Sequence, residues 1–87
     1  MKVQDVALAN IANKITDSLG TIDNSKMELI QTTDASKADI LSRGIMELES
    51  KVHDLQETYR HIRAVGMVGW SNLDQDDKTL IRKHAEV

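Results

Sequence analysis

Leu41, Ile45, Leu48, Val52, Leu55, Tyr59 and Ile62 recur at spacings of 4, 3, 4, 3, 4 and 3, an uninterrupted heptad seam. That spacing places all seven on one narrow stripe of an α-helix. A single helix cannot shield such a stripe from water, so it needs a helical neighbour from its own chain or from a second copy. The pattern predicts an all-α fold and an interaction protein. It says more about assembly than about chemistry.

The size of the chain sharpens this. Eighty-seven residues suffice for one small domain, over 1–87, and only Tyr59 and Trp70 are aromatic. Aromatic rings are the bulkiest core fillers, so the monomer has little with which to build a thick core. Small chains in that position commonly oligomerise, and the absence of cysteine removes disulfides and thiolate metal sites as staples. A net charge of −3 argues against general nucleic-acid binding. No apolar run approaches the ~18 residues of a membrane span. The first helix is amphipathic, interrupted by Gln4, Asp5, Asn10 and Asn13, and does not read as a secretion signal. The expected location is the cytoplasm.

Glycine punctuates a proline-free chain. Gly20 is expected to end a first helix over about 3–19, whose Leu8, Ala12, Ile15 and Leu19 repeat the spacing 4, 3, 4, with Ile11 widening the stripe. Ser25-Lys26-Met27-Glu28 fits a capping box and predicts a second helix from 25, continuous to 65 with at most a loosened turn near 31–35. Asp34 is the alternative cap if that helix breaks. Gly44 lies on the flank of the seam, either as a tolerated defect or as the site of a close helix crossing. Gly66 closes the long helix. A last helix over 74–85 opens on Asp74, Asp76 and Asp77 and ends on Arg82, Lys83 and His84, the charge order that complements a helix dipole. The expected architecture is an N-terminal helix, a long central heptad helix and a short C-terminal helix, as a helical hairpin or coiled-coil homo-oligomer. Ile45, Val52 and Tyr59 at position a and Leu41, Leu48, Leu55 and Ile62 at position d make up the oligomer seam. The competing arrangement folds the first helix back onto the same seam within one chain.

Chemistry is sparse. His53, Glu57 and His61 stack at i, i+4 and i+8, a metal-compatible spacing, but they lie on the outer face and read as solvated surface. The three aspartates lack the glycine and distal glutamate of a calcium loop. No nucleophile elbow, phosphate loop, dinucleotide fingerprint or zinc motif occurs. The expectation is a protein without catalytic residues, metal or cofactor. Arg60, His61 and Arg63 form a small basic cluster able to meet an anion or an acidic partner.

Ile45-Met46-Glu47-Leu48-Glu49-Ser50-Lys51, Leu55-Gln56-Glu57-Thr58 and Ile62-Arg63-Ala64-Val65-Gly66 resemble the small tail-fibre assembly chaperone of T-even phages. The resemblance covers about 41–85, with small gaps, and extends to the turn and the acidic start of the last helix; the N-terminal helix has no clear counterpart. It implies a homo-oligomeric helper that promotes trimerisation of a fibre protein through exposed helix surface. Val6-Ala7-Leu8-Ala9-Asn10, Asp54-Leu55-Gln56 and Arg63-Ala64-Val65 are similar to phage helical-hairpin proteins that sequester cyclic nucleotide signals. That similarity implies an anti-defence role and ligand contacts from Lys14, Lys26, Arg60, Arg63, Trp70 and Tyr59. An accessory helical protein of a secretion apparatus is a further alternative.

Overall fold

A computed structural model describes residues 2–86. The chain runs as α1 (Val3–Gln31), α2 (Ala35–Val65) and α3 (Gln75–Ala85), with two single 3₁₀ turns, Gly66–Val68 and Trp70–Asn72, before α3. The fold is all-α, with no strand among the described residues. α1 and α2 form an antiparallel hairpin, and the whole measures 56 × 21 × 18 Å.

The heptad seam finds its neighbour inside the chain. Ile45, Val52, Leu55 and Ile62 are buried, and Leu41, Leu48 and Tyr59 are half-buried. α1 meets them with Ala7, Ile11 and Ile22, buried, and with Ile15 and Leu29. Of the stripe Leu8, Ala12, Ile15 and Leu19, Leu8 and Ile15 pack on the core, with Ile11, which widens the stripe, fully buried beside them. Ala12 and Leu19 are exposed, and the packed face lies about one residue earlier around the helix. The reason is length: once α1 extends to Gln31, the face that stays apolar or small throughout is Ala7, Ile11, Ile15, Ser18, Ile22, Ser25 and Leu29. Half-buried Ser18 and Ser25 are small enough to sit in the interface.

Two expected boundaries move. Gly20 does not stop α1, and Ser25-Lys26-Met27-Glu28 does not start a new helix. One extra glycine costs a helix interior about 1 kcal/mol, less than is gained by keeping Ile22 at 4% exposure in the core. Thr16 and Thr21 donate their hydroxyls to the carbonyls of Ala12 and Asp17, so their polar groups are satisfied without leaving the helix. The break falls at residues 32–34 instead, and it is complete, not a loosened turn. Thr32 leaves helical geometry at φ −80°, ψ 140°. Asp34 caps α2, its carboxylate accepting from the backbone N–H of Ser36 at 2.9 Å and Lys37 at 3.4 Å. Lys37 pairs with Glu28 at 3.1 Å across the reversal.

α2 gives way at Gly66, as expected, to a 3₁₀ turn, and a Cβ there would stand 3.2 Å from the Gln4 side chain. Gly69 takes φ +86°, a conformation that L side chains rarely adopt, and turns the chain towards α3. Leu73 is buried and Trp70 packs on the same cluster, so both anchor this connection. α3 starts on Asp74, whose carboxylate accepts from Asp77 N–H at 3.2 Å, and buries Ile81 against Ala7, Ile11 and Ile62. The base of the hairpin is thus a three-helix core. The arm beyond Ile15 is two helices around Ile22, Ile45 and Val52.

Gly44 has open space where a Cβ would stand, as does Gly20, so no close helix crossing uses either. Gly20→Ala and Gly44→Ala are each expected to stabilise the protein by ~0.5–1 kcal/mol in urea unfolding. Asp34→Ala is expected to destabilise it by about 1 kcal/mol through loss of the cap. Ile62→Ala, at a site with no solvent exposure, should cost ~2–5 kcal/mol by the same measurement.

Candidate interaction surfaces

The residues that could meet a ligand or partner are held by three different parts of the molecule. Tyr59 and Arg60 on α2 border an open groove of about 340 Å³ with Ala12, Ile15 and Thr16 of α1. Lys26 lies further along the arm, beside Asp23, Glu49 and His53 in a groove of about 210 Å³. Lys14, twelve residues from Lys26 and so ~18 Å along the axis, faces α3, where it adjoins His84. Trp70 lies at the base, bordering a third cavity of about 390 Å³ with Lys2, Gln4, Gly66 and Gly69. Arg63 is exposed near the end of α2. Lys14, Lys26, Arg60, Arg63 and Trp70 do not converge on one pocket within a single chain.

The basic cluster is also divided. Arg60 donates to Glu57 at 3.0 Å one turn away. His61 Nε2 and Asp77 Oδ1 lie 2.7 Å apart, tying α2 to the first turn of α3. Arg82 sits over the Trp70 ring at 5.3 Å from its centroid, and Lys78 at 5.9 Å. Such cation–π contacts contribute about 0.5–1 kcal/mol when exposed, and here they hold α3 to the turn before it. Of the column His53, Glu57 and His61, the last two are drawn into these separate pairs. Among the described residues, no group of three or more His, Asp or Glu side chains is placed to hold a metal ion.

The exposed apolar side chains carry the strongest surface signal, and the heptad reading did not single them out. Val3, Leu19, Met27, Ile30, Ile40, Met46, Met67 and Val68 are all exposed, Ile30 at 83% and Met67 at 86%. Most of them fall at the two ends of the rod: Met27, Ile30 and Ile40 flank the reversal, while Val3, Met67 and Val68 gather near the base loop. Leu19 apart, which belongs to the first-helix stripe, the signal available in the sequence was their failure to fit either seam. Among the described residues, no helix is long and apolar enough to cross a membrane.

The α1–α3 contact contains one perturbed titrating group. Asn10 Nδ2 donates to the His84 carbonyl at 2.9 Å, which fixes the end of α3 on α1. Burial holds the His84 imidazole below its usual pKa, and the positive charges of Lys14 and Lys83 push it the same way.

The sequence matches no protein-family model, and comparison with curated proteins and with solved structures finds no match either.

Because the folded state resists protonation of His84, its contribution to stability is full above the ordinary histidine value of 6.5 and is lost as pH falls from there through the lowered folded value. Thermal unfolding between pH 7.5 and 5 should show this loss, and His84→Gln should flatten that part of the profile.

Proposed function

We propose that this chain is a non-enzymatic, homo-oligomeric assembly helper of the cytoplasm that works by protein–protein contact, in the manner of the tail-fibre assembly chaperone that residues 41–85 resemble. The observation that carries the reading is the set of large apolar side chains left in water at both ends of a thin rod. A surface of this kind lowers the free energy of a partner that covers it. Met27, Met46 and Met67 supply a large share of it. Methionine is unbranched, polarisable and tolerant of irregular partners, which suits transient contact with an incompletely folded client. Gly66 and Gly69 bracket the Met67–Val68 turn and present it away from the helices.

A second reading, sequestration of a cyclic nucleotide signal, is favoured by the cavity beside Trp70, where an aromatic ring and Lys2 adjoin. A base can stack on such a ring while the ammonium meets a phosphate. The two readings separate cleanly in solution.

Co-expression with a phage fibre protein that needs a helper is expected to raise the yield of native trimer. Met67→Asp with Val68→Asp should lower that yield while leaving helicity unchanged, since both side chains are exposed. A fibre yield equal with and without the chain overturns the helper reading. Thermal stabilisation by a cyclic dinucleotide panel, abolished in Trp70→Ala, establishes the second reading in its place.

A further inference from the structure

Three cations converge on Trp70, the one tryptophan of the chain. Lys78 Nζ lies 5.9 Å and Arg82 Cζ 5.3 Å from the centroid of its ring. These two are one turn apart, on the same face of α3. Lys2, the N-cap of α1, lines with Trp70 the cavity of about 390 Å³ at the base. None of the three pairs with a carboxylate among the described residues.

The acidic residues of this end are directed elsewhere. Asp76, two residues before Lys78, falls roughly 200° round α3 from it. Asp77 is held by His61, and Asp74 accepts the N–H of Asp77. Asp5 does not border the cavity. Glu86 lies one turn beyond Arg82 without pairing with it. A positive spot therefore persists in a chain of net charge −3.

Its surroundings are apolar. Val3 lines the same cavity, and Met67 and Val68 stand exposed on the turn between Gly66 and Gly69. Unpaired cations beside exposed apolar side chains complement a peptide in which carboxylates and apolar residues adjoin. A guanidinium can lie against a ring and still offer its N–H edge to a carboxylate, so the contact with Trp70 does not use up Arg82. A nucleic-acid strand would instead set a long run of negative charge against a chain that is negative as a whole.

We propose that Trp70 with Lys2, Lys78 and Arg82 forms a docking site for an acidic, apolar peptide segment. The inference deepens the helper reading by naming the client chemistry that the base end takes, and it rests on that reading. Carboxylates of the segment meet the three cations, while its apolar side chains cover Val3, Met67 and Val68.

The fluorescence of the sole tryptophan reports occupancy directly. A short synthetic peptide of alternating leucine and glutamate is expected to change it saturably, and added salt should weaken that binding. The same peptide with lysine for glutamate should leave it unchanged, although the net charge of the chain alone favours the lysine form. Lys78→Gln with Arg82→Gln should weaken the acidic peptide by about tenfold or more at unchanged helicity. Lys2→Gln, which leaves α3 untouched, should weaken it as well. No response to the acidic peptide, an equal response to the lysine peptide, or native affinity in either variant overturns the proposal. So does a cyclic dinucleotide or an anionic phospholipid vesicle that acts on Trp70 at lower concentration than the peptide. Acidic-peptide binding without fibre rescue removes the helper reading alone, whereas fibre rescue by a chain that ignores the peptide removes this site alone.

Discussion

Burial of the α2 ribbon against α1 is the contact on which everything else in this molecule rests. It is reached because the chain reverses at residues 32–34, where Asp34 satisfies two of the first free N–H groups of α2. Without that turn, a single helix from 25 to 65 would carry its seam into water and require another molecule. With it, Ile11 and Ile22 reach Leu55, Val52 and Ile45 from within the chain.

The hairpin is not uniform along its length. At the base, Ile81 and Leu73 close the core from a third side, and the Asn10–His84 and His61–Asp77 contacts fasten α3 to both long helices. The arm has only two helices and a core of three buried residues. Fewer buried contacts imply a lower free energy of local opening, so the arm is the less stable half. Its apolar outer residues, Met27, Ile30 and Ile40, sit on that half. The apolar surface at that end is therefore carried by the half of the rod that opens more readily.

The basic and aromatic residues that a nucleotide sponge would draw together are spread over the arm, the middle and the base of a rod 56 Å long.

Much of the fold was legible. The apolar ribbon of α2, the stop at Gly66, the anchoring by Trp70 and Leu73, and the charge order of α3 could be read from spacing and residue type, although the ribbon expected to join copies packs on α1 of its own chain. The misleading signals were local. Gly20 and the Ser25–Glu28 box describe a plausible helix end and start, but their energies are each about 1 kcal/mol. The burial of Ile22 and Leu29 on a continuing helix outweighs them.

The amino-acid sequence by itself determined that the protein is helical and that residues 41 to 62 must be covered, because side-chain periodicity and solvent aversion belong to the chain. Only the tertiary structure decided what covers them. Heptad spacing specifies a neighbour's shape without specifying whether it lies in the same molecule. That choice depends on a three-residue turn whose strength is small beside the apolar surface it brings together.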